Sequence, residues 1–127
     1  MGVTRIIQGD DKKIELTYKI GAVAQNISTC SNIKAELIIG GQSQKVYALT
    51  PSNSNEGTLE LKTNGNDGIF NIFIEREESL LFAIGNGFFN VLFNFPDVTF
   101  PDGTRIVSAV FHNMQGEKGY SLNLDIE

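Results

Sequence analysis

The segment KKIELTYKI, residues 12–20, alternates without a break. Ile14, Leu16, Tyr18 and Ile20 share one side, and Lys13, Glu15, Thr17 and Lys19 share the other. Successive side chains of a strand point to opposite faces, so a period of two marks a half-buried strand. The same period returns along the chain. In NIKAELIIG, Ile33, Ala35, Leu37 and Ile39 alternate with Lys34, Glu36 and Ile38. In GFFNVLFNF, Phe89, Val91, Phe93 and Phe95 alternate with Phe88, Asn90, Leu92 and Asn94. IFNIFIE places Phe70, Ile72 and Ile74 inward, and TLELKT pairs Leu59 with Leu61.

Turn signals separate these runs. IIQGDDKK bends at Gly9-Asp10-Asp11, between two strand-like pieces. Gly40-Gly41 reads as a hairpin turn returning into QSQKVYAL. TPSNSNEG, NGNDG and PDVTFPDG are loops, the last closed by Pro101-Asp102-Gly103. TRIVSAVFH carries apolar residues on both faces and reads as a central strand. YSLNLDI ends the chain with Tyr120, Leu122, Leu124 and Ile126 on one side. The one helical suggestion is REESLLFAIG, where Leu80, Leu81 and Ile84 fall at helical spacing and Glu77 and Glu78 suit a first turn. About eight short strands with turns roughly every 8–12 residues predict an all-β fold. The expected form is a two-sheet antiparallel immunoglobulin-like β-sandwich with one short helical turn, a small barrel being the runner-up.

At 127 residues the chain suits one domain spanning residues 1–127, large enough to bury a core without disulfide or metal. Cys30 is the single cysteine and reads as a small apolar residue. MGVTRIIQ contains no long apolar run, so no secretory signal is expected. Ile6 stands where a myristoylation motif wants Ser or Thr. No stretch is apolar for long enough to span a membrane. Ten basic residues against fifteen acidic give a net charge of −5, and no basic patch invites nucleic acid.

The residues offer no catalytic constellation, and no cofactor or metal is expected. Asp10 and Asp11 are adjacent on a strand start and point apart, which is wrong for paired acid–base work. NGNDG fails the calcium-loop spacing, because Thr63 and Gly65 fall on the first two ligand slots. Asp97, Asp102 and Glu117 lie in loops with nothing to bring them together. His112 is the single histidine, too few for a zinc site without help from carboxylates or the lone thiol. Ser79 and Ser108 lack a glycine elbow, and AIGNG is no phosphate loop.

The aromatic residues point elsewhere. Nine phenylalanines crowd a small domain, and GFFNVLFNF and TRIVSAVFH cannot both hide two faces. Phe73, Phe88, Leu92, Val107 and Phe111 are therefore the candidates for an exposed apolar patch, of the kind that marks a protein interface.

One arrangement runs through most of the chain, residues 5–126. A Gly9-Asp10 corner leads to an alternating strand and a small-residue loop. A strand bearing Ala35 follows, and later a turn with Leu80 and Ile84 delivers Gly87 and Phe89 to the next strand. In this the chain resembles the N-terminal domain of phage baseplate upper proteins and related immunoglobulin-like domains of phage tails. It departs from the pattern at Asn26-Ile27-Ser28, where Asp-Leu-Thr is usual. The family domain is normally followed by further protein, whereas this chain ends at Glu127. The resemblance implies a non-enzymatic virion structural protein in tail, baseplate or neck assembly: a connector, ring or adaptor subunit. Its partners would be other virion proteins, with a homo-oligomer or array in the particle and neither nucleic acid nor membrane. The edge strands TRIIQ and YSLNLDI would be open to another chain. Capsid decoration is the nearest variant. A carbohydrate-binding module is the competing class, with Tyr47 and Tyr120 as its aromatic platforms.

Overall fold

A computed structural model of the chain describes residues 4–111 and 124–126. Eleven strands and one helical turn follow in the order β1 Thr4–Ile6, β2 Lys12–Thr17, β3 Lys19–Ile20, β4 Val23–Ala24, β5 Asn32–Ile39, β6 Gln42–Ala48, β7 Gly57–Leu61, β8 Ile69–Ile74, α1 Arg76–Ser79, β9 Gly85–Pro96, β10 Thr104–Phe111 and β11 Leu124–Ile126. The fold is all-β, as the alternation requires. Strand count exceeds expectation because β3 and β4 form a separate two-stranded ribbon and because β1 and β11 are short pieces at one edge.

The other nine strands make one sheet, ordered β1-β11-β9-β5-β6-β7-β8-β2, with β10 beside β9. The sheet curls until its two halves face each other. Phe70 of β8 meets Phe93 of β9 edge-on at 5.7 Å and Phe111 of β10 at 5.9 Å, although several strands separate them in the sheet. Tyr18, just beyond β2, stacks on Phe93 at 4.4 Å. Such ring pairs contribute beyond their buried area.

Two junctions are parallel, where an antiparallel arrangement was expected. β6 joins β7 through the two-residue ladder Tyr47↔Gly57 and Ala48↔Thr58, which makes the two halves one sheet. β1 runs parallel to β11, in the register Thr4↔Leu124 to Ile6↔Ile126. The two N-terminal strands thus lie at opposite ends of the sheet, and the Gly9-Asp10-Asp11 corner carries the chain from one half to the other. The TRI and LDI segments, expected as open edges, pair with each other. On its other side β11 pairs with Gly85–Gly87 of β9.

The core follows the period-two reading almost residue for residue. Ile14, Leu16, Tyr18, Ile33, Ala35, Leu37, Ile39, Leu59, Phe70, Ile72, Ile74, Phe89, Val91, Phe93 and Phe95 are buried. Leu61 is only half-buried, and Ile20 is exposed, because the chain turns into the β3–β4 ribbon there. Gly40 and Gly41 have φ of 60° and 79°, both left-handed, as a two-residue hairpin turn with the twist of the flanking strands demands.

Candidate interaction surfaces

Strand β9 organises the candidate surface. It pairs with β5 along one edge, from Asn32↔Asn94 to Ile39↔Gly87, and with β10 along the other, from Thr104↔Pro96 to Phe111↔Phe89. These registers stack the outward side chains in rows. Ile106, Asn94 and Asn32 form one row; Ser108, Leu92 and Lys34 the next; then Val110, Asn90 and Glu36. Ile106 is 61% exposed, Leu92 41% and Val110 37%, giving an apolar strip across two neighbouring strands. Phe88 and Ile38, half-buried and opposite each other, extend it toward the start of β9.

A shallow pocket of about 220 Å³ opens at the other end of this face, lined by Asn32, Lys34, Leu92, Asn94 and Ile106. Asn94 Oδ1 is buried there and has no hydrogen-bond partner among the described residues. Lys34 is tethered to Glu56 at 3.1 Å. The amide of Ser52 and the Lys34 ammonium hold the Glu56 carboxyl below its ordinary range.

The five residues expected to form an exposed patch separate into three environments. Phe88, half-buried, and Leu92, exposed, share the outer face of β9. Phe73 is half-buried on the other half of the sheet, between Lys13 and Thr58, and joins no common surface with them. Val107 is half-buried and packs on the core. Phe111 is fully buried against Phe70 and is a core residue, so its assignment to an interface is corrected. The inward set of β10 is Val107, Ala109 and Phe111, and the outward set is Ile106, Ser108 and Val110. Both sets are apolar, so periodicity could not orient the strand. Ser108 is the one polar residue of the outward set, too little to orient the strand by itself.

A second apolar exposure lies beyond α1. Leu80, Leu81 and Ile84 do not form a helical stripe facing the core. The helix ends at Ser79, and these three are 61%, 83% and 70% exposed, while Phe82 between them is buried. Bonds to Phe82 and Ala83 fix this loop: the Gln8 side-chain amide donates to the Phe82 carbonyl at 2.7 Å, and Gln44 Oε1 accepts from the Ala83 amide at 2.9 Å. Gln44 is available for this because a bulge leaves it unpaired between Ser43↔Ile38 and Lys45↔Leu37.

Tyr47, the proposed sugar platform, is fully buried. Its hydroxyl donates to Glu78 Oε1 at 3.0 Å, and burial, then the Glu78 charge, raise its pKa. The ring has no face for a ligand. Tyr120, His112 and Glu117 lie outside the described residues. Burial pushes the Cys30 thiol up to about 11, so it carries no nucleophilic thiolate at neutral pH. Asp97 is occupied by Thr99 and by Arg105 at 3.3 Å. Among the described residues no group of three or more His, Cys, Asp or Glu could hold a metal ion, and no helix is long and apolar enough to cross a membrane.

No family model matches this chain, and no curated protein matches it.

Proposed function

We propose that the chain is a non-enzymatic structural subunit of a phage virion, acting in tail, baseplate or neck assembly by protein–protein docking. The observation that carries this reading is the strip of Leu92, Ile106 and Val110 on the outer face of β9 and β10. A rigid sheet offering apolar side chains to water is stabilised when a partner covers them. The adjoining pocket sets the polar side chains of Asn32, Lys34 and Asn94 beside the strip.

The strand order supports an immunoglobulin-like sandwich beneath that surface. One half reads β2-β8-β7 and the other β6-β5-β9-β10, with β1 crossing to the second half and a helical turn between β8 and β9. This is a Greek-key order, and its two halves pack Phe70 against Phe93. Among the residues that carry the phage-domain resemblance, Ala35 and Phe89 are in the core, and Gly9 and Asp10 form the crossing corner. Head decoration would use the same docking chemistry at another place in the particle. The sugar-binding alternative loses Tyr47 as a stacking platform.

Co-expression with the products of the genes flanking its own tests the proposal. Copurification with one of them, abolished by Leu92→Asp in a chain that still folds, is the expected result. Failure to copurify with any flanking product, or capture that Leu92→Asp leaves intact, would count against it.

A further inference from the structure

Among the described residues β1, β2 and β10 each have a single ladder neighbour, and the last two make contrasting edges. At one, β2 carries Lys12, Lys13 and Glu15 in its first four residues, directly after Asp11. Charges of that kind discourage a further strand from adding. At the other, β10 reads TRIVSAVF, with Arg105 its single charge. That charge is engaged within its own chain: Nε pairs with Asp97 at 3.3 Å and the guanidinium lies 4.6 Å from the Phe95 ring centre. β10 has no proline, no glycine and no bulge over eight successive rungs to β9. Among the described residues β9 is its only ladder partner, and no backbone–backbone bond from turns or loops reaches Thr104–Phe111. Such an edge offers a row of backbone donors and acceptors in the spacing of another strand.

We infer that β10 pairs antiparallel with β10 of a second copy about a two-fold axis at Ser108, joining two sheets into one. A two-fold contact requires a self-complementary strand, and this register supplies it. Ser108 faces its own equivalent, a small hydroxyl at the axis. Ile106 of each copy faces Val110 of the other, Val107 faces Ala109, and Arg105 faces Phe111. Directly opposed residues of an antiparallel pair share a face, so the exposed Ile106 and Val110 each gain an apolar neighbour. No like charges are opposed anywhere along the pairing. The two strips containing Leu92 then lie on one continuous surface across the axis. The inference does not depend on the virion reading, since the partner is an identical chain in whatever setting it works.

The test combines light scattering with a cross-link. The wild-type chain is expected to reach twice its single-chain mass as concentration rises. Ser108→Lys, which sets two ammonium groups against each other on an exposed position, should halve that mass with an unchanged circular dichroism spectrum. In a Cys30→Ser background, Ser108→Cys should form a disulfide-linked dimer under mild oxidation. Opposed Cα atoms lie about 4.5–5.5 Å apart, within the roughly 4.4–6.8 Å span of a disulfide. Thr58→Cys, exposed on β7, is the control that should not link. A wild-type chain that stays monomeric at millimolar concentration overturns the inference. So does a dimer that Ser108→Lys leaves intact, and loss of the dimer without a 108–108 link overturns the register.

Discussion

Ser79 holds the chain at Gly9: its hydroxyl oxygen accepts the Gly9 amide at 3.0 Å while donating to the Asp10 carbonyl at 2.8 Å. One fully buried hydroxyl therefore satisfies both backbone groups of the corner that carries the chain between the two halves of the sheet. Asp11 adds to this clasp by accepting the Arg76 amide at 2.8 Å, in the first turn of α1. Ser79→Ala should remove the partner of a donor and an acceptor in this part-buried corner, at a cost of about 1 kcal/mol. Urea unfolding would read this as a lower midpoint at unchanged slope; an unchanged midpoint would show that the corner is held by other contacts.

The Tyr47 hydroxyl ties β6 to α1 through Glu78, which also pairs with Lys45 at 3.5 Å and accepts the Glu75 amide at 3.1 Å. Burial raises the Tyr47 pKa above its ordinary 10.0, so the folded state keeps the proton that the unfolded chain releases. Stability from this group is complete below pH 10 and falls as pH rises beyond it. Tyr47→Phe should lower stability by about 0.5–1.5 kcal/mol at neutral pH. It should also flatten the alkaline decline measured by denaturant titration between pH 8 and 11. A decline as steep in Tyr47→Phe as in wild type would place its origin in other groups.

Leu92 and Phe111 make a paired test of surface against core. Phe111 is fully buried beside Phe70, and truncation to Ala should cost about 3–5 kcal/mol through lost burial and an unfilled cavity. Leu92→Ala, on a side chain 41% exposed, should stay under about 1 kcal/mol. Thermal unfolding of the two variants side by side decides it: similar losses in both would mean that Leu92 is not at the surface in solution.

Gly87 sits in β9 opposite Ile39 of β5. A Cβ there would lie 2.8 Å from the Ile38 carbonyl oxygen and 2.9 Å from Ile39 Cγ1. The obstruction is backbone, which cannot swing aside as a side chain can. Gly87→Ala should cost about 1–3 kcal/mol, visible as a lowered melting temperature. A melting temperature equal to wild type would show that the two strands can separate locally without loss.

Much of the interior was legible before the structure. β2, β5 and β9 each set apolar residues against polar ones, and a strand with one wet and one dry face can be oriented from its own residues. The Gly40-Gly41 turn was readable for a related reason, since few residues tolerate left-handed φ at two successive positions. β10 was not legible: Ile106 and Val110 are as apolar as Val107 and Phe111, so only the neighbouring β9 decides which set turns inward. The same limit hid the exposure of Leu80, Leu81 and Ile84. Their spacing suited a helix, but α1 ends at Ser79, whose hydroxyl is bound to the Gly9-Asp10 corner.

The amino-acid pattern by itself determined that this protein is a sheet with a phenylalanine-rich core, because alternation is a property of each strand alone. Tertiary structure decided that β1 lies beside β11, that β6 and β7 join in parallel, that Tyr47 is sealed inside, and that Ile106 and Val110 face outward. Those outcomes depend on which strand becomes a neighbour. That choice is made by contacts between residues far apart in the chain, such as Gly9 with Ser79 and Phe70 with Phe111, and no local period records them.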